Sequence, residues 1–512
     1  MLFVKHLGTR WRLMLMLTLT LTLTGAVSAS AAGDDLRLLT AVKAGDVEAV
    51  RTMLQPSTDV DVNAPQADGT TALHWAVRVD SSELVQLLLR AGADVTVANR
   101  YGVTPMSLAA VNGNAVVLET LLDAGADPNT ALPEGETVLM TAARTGDVEA
   151  LKVLVSRGAD VNAHERWLGE TAVMWAAVEN HPAVIRLLAE VGANLNAVSA
   201  ALDYGRKVGG QTTLPVGGFT ALMFAAREGA NESVRALTEL GADPNVTDPE
   251  GATALVLAII NAHYDTAALL VEQGADPNIA DESGMAALYA AVDMHTLPFM
   301  HGRPDPKVTG ELDEVDLVEL LLAHGANVDQ TLKTPLLRRH NNASNQALGG
   351  GTTPLMRAAN SGDVRLMRVL LEHGADPNLT QENGTTLLIL ASGFGRRGDH
   401  NADSQEYWRG TEEEFFAAVQ VCVNELGQDV DAANQLGDTA LHVAAGPSIV
   451  RFLVEHGASL DAMNKQGKTP LDAALARKDK SDRQLRPEAV AALLELTERS
   501  GVDAAPSPAL AQ

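Results

Sequence analysis

The sequence predicts an all-α protein in which pairs of short helices are stacked in tandem. An opening phrase that begins with threonine alternates with a closing Gly-Ala-Asp/Asn phrase, and the regular copies are 33 or 34 residues apart. Two helices that short cannot bury an apolar stripe alone, so each copy must pack against its neighbours. The closing glycines are Gly92, Gly125, Gly158, Gly192, Gly241, Gly274, Gly325, Gly374 and Gly457.

The copy at residues 351–378, GTTPLMRAANSGDVRLMRVLLEHGADPN, indicates how each element is specified. Thr353 is placed to cap the first helix, and Pro354 follows at the first helical position, where its missing N–H has no cost. Asp363 is placed to cap the second helix. Gly374 fits the left-handed residue that ends a helix. The second helix has an apolar stripe at helical spacing, formed by Val364, Met367, Leu370 and Leu371.

The two linked phrases identify a family. The opening phrase reads TALHWA from Thr71, TPLMRA from Thr353 and TALHVA from Thr439. This pattern resembles the ankyrin repeat, whose signature is T-P-L-H-x-A with G-A-D-V-N at the loop, and the resemblance covers roughly residues 34–498. It implies an ankyrin-repeat solenoid of about 11–12 repeats including caps. It also implies that His74 and His442 brace loops through hydrogen bonds.

Residues 1–31 are typical of a secretory signal peptide. Lys5, Arg10 and Arg12 precede an apolar run at 13–23, and small residues near 27–31 offer cleavage sites. The run is short for a membrane span, although an uncleaved anchor is the alternative. The sequence therefore predicts a periplasmic or secreted protein, with no membrane association after cleavage.

The spacing of the closing glycines predicts the domain organisation. It lengthens after residue 197, which indicates four insertions. Two of these interrupt the finger loop between repeats (198–217, 331–350), and two interrupt the turn within a repeat (294–312, 395–411). The predicted segments are an N-terminal capping repeat at 32–66, regular repeats at 67–197, repeats with insertions at 198–435, C-terminal repeats and cap at 436–500, and a disordered tail at 501–512.

Composition excludes several classes of function. The net charge of −27 argues against a nucleic-acid partner, because phosphate binding needs a basic face. The single cysteine, Cys422, lies in an apolar run and is expected to be buried. The sequence contains no G-x-S-x-G, H-E-x-x-H, C-x-x-C or phosphate-binding glycine loop. We therefore expect no catalysis, cofactor or metal.

The family resemblance implies a binding surface made of finger tips and a concave groove. The finger positions include Arg100, Tyr101, Arg166 and Trp167, and the groove positions include Arg78, Arg144, Arg227, Glu179 and Glu228. Tyr, Trp and Arg are the residue types that dominate interface energy. The aromatic residues that replace a framework leucine are expected in the core instead: Trp75, Trp175 and Phe224.

The insertions hold a second candidate site. Lys333, Arg338, Arg339 and His340 form a basic island in an acidic chain, and the 294–312 segment adds His295. Arginine grips carboxylates in bidentate fashion, so the island is a candidate for a small anion or a carboxylate of a partner. Charge that is merely solvated on a loop is the alternative.

These patterns favour an exported, non-catalytic interaction protein that binds a protein partner through the groove and the inserted loops. The alternative from a different class is a small anionic ligand-binding or catalytic site at the insertions near 295–345. A third hypothesis is a secreted effector that binds host proteins.

Overall fold

The computed structural model describes residues 33–56, 58, 60–201, 207–208, 212–213, 217–296, 308, 310–334, 348–393, 411–478 and 487–500. The predicted signal peptide and tail lie outside these residues, as does most of each insertion. Within them, 24 α-helices form twelve consecutive pairs, and inside each compact unit neighbouring pairs pack against each other. Among the described stretches, no helix has both the length and the hydropathy required to cross a lipid bilayer.

The odd-numbered helices open a repeat and the even-numbered helices close it. The first six pairs are α1 Gly33–Ala44, α2 Val47–Met53, α3 Ala72–Arg78, α4 Ser82–Arg90, α5 Pro105–Asn112, α6 Ala115–Asp123, α7 Val138–Thr145, α8 Val148–Ser156, α9 Ala172–Val178, α10 Pro182–Glu190, α11 Ala221–Glu228 and α12 Asn231–Glu239. The remaining pairs are α13 Ala254–Ile259, α14 Tyr264–Glu272, α15 Ala287–Thr296, α16 Glu314–Ala323, α17 Pro354–Asn360, α18 Val364–Glu372, α19 Leu387–Ser392, α20 Glu412–Gln420, α21 Ala440–Val443, α22 Pro447–Glu455, α23 Pro470–Lys478 and α24 Pro487–Ser500. A π-helical turn, Val421–Glu425, continues α20.

The chain divides into two compact units, which we describe separately. The first unit comprises residues 1–202 and 216–246, and the second comprises residues 203–215 and 247–512. A small antiparallel ladder in the second unit pairs β1 Lys207–Val208 with β2 Thr212–Thr213. Apart from this ladder and isolated bridges, regular structure in the described residues is helical, which confirms the predicted all-α class.

The local signals in the copy at 351–378 act as expected. Thr353 Oγ1 accepts a hydrogen bond from the Met356 amide at 3.2 Å, and Asp363 Oδ1 accepts one from the Leu366 amide at 3.0 Å. Gly374 follows α18 with φ of +89°, in the left-handed region. A Cβ built at Gly374 has no atom within 4 Å, so a side chain there would not clash with neighbouring residues. The strain of a substitution would come from the left-handed backbone conformation itself.

A loop asparagine joins four of the repeats to the repeat that follows. Asn129 Nδ2 donates to the Gly158 carbonyl at 3.2 Å, and its Oδ1 accepts from the Asp160 amide at 2.7 Å. Asn63, Asn162 and Asn278 make the same pair of bonds to the following repeat. The asparagine of the closing phrase is therefore a bidentate link between loops.

The histidines of the opening phrase also brace loops, as the resemblance implied. His74 Nδ1 accepts from the Thr71 amide at 3.2 Å, so the ring proton is on Nε2 and is donated to the Val103 carbonyl at 3.0 Å. Burial lowers the pKa of His74, which keeps this neutral tautomer. His442 repeats the arrangement with Thr439 and Lys468.

The finger loops form a backbone ladder within each unit. The amide of Arg100 donates to the carbonyl of Asp68, and the amide of Arg166 donates to that of Glu134, both at 2.9 Å. In the second unit, the amide of Glu282 donates to the carbonyl of Glu250 at 2.9 Å. Successive tips are thus held in register, and their side chains are presented on one edge.

Two of the four insertions begin and end next to residues that are hydrogen-bonded to each other. At the first, the amide of Ser199 donates to the carbonyl of Phe219 at 2.9 Å. At the third, the amide of Leu332 donates to the carbonyl of Thr352 at 3.0 Å. Both pairs lie between repeats, so each insertion there is a lengthened finger. The second and fourth segments connect the two helices of a pair, α15 to α16 and α19 to α20.

Candidate partner-binding surface

One face of the first helices carries the aromatic and cationic residues of the first unit. These residues lie four and seven positions after the opening threonine, a spacing that places them on one side of a helix. Lys43 holds the equivalent place in α1. We call this set the first-helix face; its members are Lys43, Trp75, Arg78, Leu108, Val111, Arg144, Trp175, Phe224 and Arg227.

Two cations contact the ring of Trp75. Lys43 Nζ, from the preceding repeat, lies 4.3 Å from the ring centroid, and the Arg78 guanidinium carbon lies 5.1 Å from it. The indole Nε1 donates to Gln66 Oε1 at 3.0 Å, which fixes the orientation of the ring. Such contacts position both cations while leaving them exposed to solvent.

Arg144 repeats the arrangement two repeats further on. Its guanidinium carbon lies 4.9 Å from the ring centroid of Trp175, in the next repeat. Its Nη2 lies 3.3 Å from Oε1 of the buried Glu136, which also accepts a hydrogen bond from Thr141. Because this carboxylate already balances Arg144, the remaining charge at the site is small.

Arg227 is the most enclosed cation of the face. Its guanidinium carbon lies 5.0 Å from the ring centroid of Phe224 and 5.7 Å from that of Phe219. Its Nε lies 3.1 Å from Glu228 Oε1, and its side chain is 11% exposed. This end of the face is packed, whereas the end at Arg78 is open.

A carboxyl group near Arg227 is poised to titrate near neutral pH. Burial, followed by the charge of Glu165, raises the pKa of Glu170 to about 7, while Arg227 and the Trp175 indole act in the opposite direction. Glu165 is itself buried and accepts from the amides of Leu168 and Glu170 at 2.6 and 3.0 Å. The charge of this end of the face therefore changes between pH 6 and 8.

The finger tips present the second group of predicted residues. The Arg100 guanidinium carbon lies 4.8 Å from the ring centroid of Tyr101, and Tyr101 is 46% exposed. Arg166 is exposed, and its neighbour Trp167 is 42% exposed. Each of the two tips therefore offers one arginine and one large aromatic side chain to a partner.

The expectation that three aromatic residues are core is only partly met. Phe224 is 4% exposed and is part of the core. Trp75 and Trp175 are half-buried, because one ring face of each lies under cations rather than under apolar side chains. The sequence could have shown this, since cations occur three residues after Trp75 and at the same place in the preceding repeats.

In three successive repeats of the second unit, between residues 253 and 360, the equivalent positions are buried. Ile260, Asp293 and Asn360 are each 3% exposed, and Arg357 is 1% exposed. Arg357 Nε lies 2.6 Å from Asp293 Oδ1, a buried ion pair that joins α15 and α17. In these three repeats the first-helix positions are therefore enclosed, unlike those at Trp75 and Arg78 in the first unit. Sequence reasoning missed the buried ion pair, although charge at two framework positions was the visible signal.

The candidate site at the insertions is only partly within the described residues. Lys333 is exposed, and its amide donates to the Ser283 carbonyl at 2.8 Å, which makes it a finger tip. Arg338, Arg339 and His340 lie outside the described residues, so an anion site there stays a prediction.

His295 is engaged by carboxylates. Its Nε2 lies 2.8 Å from Asp363 Oδ2, and its Nδ1 lies 3.6 Å from Glu314 Oε2. The hydrogen bond to Asp363, followed by the nearby carboxylate of Glu314, raises the pKa of His295 to about 9. The charged ring therefore joins α15 to the starts of α16 and α18.

The described residues offer no grouping of three or more His, Cys, Asp or Glu side chains suited to a metal ion. Cys422 is buried, as predicted, and burial raises the pKa of its thiol to about 12. The thiolate is therefore negligible at neutral pH.

Comparison with known proteins agrees with this architecture. Profiles described as ankyrin repeats in three copies match residues 38–131, 117–199, 196–281, 222–300 and 414–503, and one described as ankyrin repeats in many copies matches residues 336–391.

The curated relatives are similar over short stretches. The Notch-regulated ankyrin repeat-containing protein A of Danio rerio is 40% identical over 75 residues, which cover 14% of this chain and 67% of that protein. The 2-5A-dependent ribonuclease of Homo sapiens is 37% identical over 84 residues, which cover 16% of this chain and 11% of the ribonuclease. The match therefore spans about a tenth of the ribonuclease.

Among solved structures, the human ASB11 ankyrin repeat domain aligns with a TM-score of 0.39 and 23% identity, covering 46% of this chain and 96% of that domain. The repeat profiles cover well over half of the sequence. The chain therefore belongs to the ankyrin-repeat family.

Proposed function

We propose that this protein is a non-catalytic scaffold that binds a protein partner through the first-helix face and the finger tips of the first unit. One observation carries the proposal: the two exposed aromatic side chains Tyr101 and Trp167 lie at finger tips beside exposed arginines, and the half-buried Trp75 and Trp175 of the first-helix face contact cations. These residue types form the anchors of protein interfaces. Family membership supports the same conclusion, since stacked repeats present extended binding surfaces.

Affinity capture with matched variants tests the scaffold. The full mature chain and a Tyr101→Ala/Trp167→Ala variant are each used to capture proteins from the source organism. We expect a stoichiometric partner with the parent and at least a tenfold lower yield with the variant. Arg186→Ala is the control, because Arg186 pairs with Glu239 on the second helices, away from the finger tips.

The proposal fails if the parent captures no stoichiometric partner, or if the finger-tip variant captures as much of it as the control does. A catalytic role would instead require turnover that survives loss of the partner.

We also propose that the protein acts in the periplasm or outside the cell. The support is the basic, apolar and small-residue pattern of residues 1–31. Fusing residues 1–31 to a reporter enzyme that is active only after export tests this directly. Export with cleavage after Ala29 or Ala31 is expected, and a reporter retained in the cytoplasm would refute it. The location of the captured partner then separates a periplasmic scaffold from an effector aimed at host proteins.

A further inference from the structure

We infer that Lys43, Trp75 and Arg78 form a carboxylate-binding cluster that accepts an acidic segment of the partner protein. The inference rests on the proposed scaffold function and specifies the chemistry of what the first-helix face binds. We call these three residues the Trp75 cluster.

The first observation is that neither cation of the Trp75 cluster forms an ion pair with a described carboxylate, whereas several other cations of the first unit do. Arg51 pairs with Glu83 at 2.6 Å, Arg157 pairs with Asp123 at 2.7 Å, and on the first-helix face itself Arg144 lies 3.3 Å from Glu136. In the Trp75 cluster, no described carboxylate lies within 4.0 Å of either cation. In a chain of net charge −27, two cations on one ring without a directly contacting carboxylate are available to an acidic group of a partner.

The second observation is that the two cations influence each other. Burial is the main cause that lowers the pKa of Lys43. The charge of Asp68 is the next largest influence and raises this pKa, while the smaller influence of Arg78 lowers it. Asp68 acts through space, and its carboxylate accepts the Thr70 amide at 3.0 Å. A carboxylate placed between the two cations would relieve this repulsion and favour their charged forms.

The third observation is the apolar surface beside the cluster. Val79 is 39% exposed and Val111 is 45% exposed, while Leu108 is half-buried. An acidic side chain at the cluster would thus place its neighbours against aliphatic groups. The occupant favoured by this surface is a protein segment that combines acidic and aliphatic residues.

The spacing of the repeats sets the spacing of that segment. Neighbouring helices pack about 8–10 Å apart, and an extended chain advances about 3.3 Å per residue. One repeat therefore corresponds to about three residues of an extended segment. A glutamate at the Trp75 cluster places a residue about three positions away at Leu108 and Val111, and another about six positions away at Arg144.

Peptide titration tests the inference. The probe is a fluorescein-labelled 13-residue peptide of Gly and Ser that carries one Glu and, three residues later, one Leu, compared with the same peptide carrying Gln in place of Glu. Fluorescence anisotropy with the full mature chain is expected to show at least tenfold tighter binding of the Glu peptide. The double variant Lys43→Gln/Arg78→Gln should bind both peptides equally.

Arg51→Gln is the matched control, because Arg51 joins the same two repeats on the opposite side of the helix pairs. It should keep the tenfold preference, and the melting temperatures of all variants should confirm that each is folded. Equal affinity of the parent for the two peptides would overturn the inference. So would an equal loss of preference in the control and in the double variant.

Partner capture separates this inference from the scaffold itself. If Lys43→Gln/Arg78→Gln captures the partner as well as the parent does, the inference is wrong while the scaffold function stands. If no chain captures a partner, the scaffold fails, and the peptide titration still decides the carboxylate preference.

Discussion

Arg357 is a charged side chain at a repeat position that is buried in three successive repeats of the second unit. It is 1% exposed and is bonded to Asp293, yet its Nη2 and the hydroxyl of the nearby Tyr289 have no hydrogen-bond partner among the described residues. A buried pair with incomplete hydrogen bonding contributes little net stability, although loss of one member leaves an uncompensated buried charge. The pair therefore specifies how α15 and α17 pack rather than adding to stability.

The first prediction is a double-mutant cycle on this pair. Asp293→Leu and Arg357→Met should each lower the free energy of unfolding by about 3 kcal/mol, whereas the double variant should return to within about 1 kcal/mol of the parent. Urea denaturation measures all four proteins. Leu257→Met, at the repeat position that Arg357 occupies, is the control and should change little. Additive losses in the double variant would contradict the prediction.

The second prediction concerns His295 and pH. Its pKa is about 9 in the folded protein, against about 6.5 for an unfolded chain, so its stabilising effect is full below pH 6.5 and is lost as pH rises through 9. His295→Gln should therefore lower stability by about 2 kcal/mol at pH 6. At pH 10 the variant and the parent should melt together.

His324→Gln is the control, because the His324 ring contacts a backbone carbonyl and is exposed. A deficit of His295→Gln that is as large at pH 10 as at pH 6 would show that packing, rather than charge, explains the effect.

At the scale of the element, the loop asparagines explain why the closing phrase ends as it does. Asn63, Asn129 and Asn162 each bond both the glycine carbonyl and the following amide of the next loop. Thr96 occupies this place in the second repeat and instead bonds Asp94 in its own loop. The junction after Thr96 therefore lacks the link.

The third prediction is that Thr96→Asn stabilises the protein. Its amide should bond the Gly125 carbonyl and the Asp127 amide and raise the free energy of unfolding by about 1 kcal/mol. Thr96→Gln is the control, because its amide is one methylene too far from the backbone. The urea midpoint of both variants measures the effect. A midpoint for the Asn variant no higher than that of the Gln variant would refute the link.

Local signals determined which parts could be predicted from sequence. The caps at Thr353 and Asp363 and the left-handed Gly374 depend on residues within four positions, so the sequence indicates them directly. The bond between Arg357 and Asp293 joins residues 64 positions apart. No repeat pattern specifies such a contact, because it depends on which side chains the stack brings together.

The candidate site follows the same division. Repeat register placed Arg78, Arg144 and Arg227 on the first helices, and the structure adds that each contacts an aromatic ring. Half-burial of Trp75 and Trp175 was not predicted, although the cations of the preceding repeats that contact their rings are visible in the sequence.

At the scale of the whole molecule, the two units use the same frame differently. The first-helix positions of the first unit include exposed side chains such as Arg78 and Val111, whereas Ile260 and Asn360 in the second unit are buried. A segment whose side chains are enclosed opens less often, so its amides exchange more slowly with solvent.

The fourth prediction is a difference in hydrogen exchange. The amides of α13 and α17 should exchange at least tenfold more slowly than those of α3 and α5, as measured by mass spectrometry of peptic fragments. The second helices α6 and α18, which are comparably exposed, serve as the internal control and should exchange alike. Equal protection of all first helices would contradict the proposed difference in burial.

The hydrogen bond between Leu332 and Thr352 at the base of the third insertion has a consequence for how the sequence of such an array can evolve. The chain enters and leaves the lengthened finger at residues that are hydrogen-bonded to each other. The packing of the helices on either side therefore does not depend on the number of residues in the finger. Sequence can therefore be gained, lost or exchanged there without re-engineering the rest. A foreign recognition loop can therefore be grafted between Leu332 and Thr352.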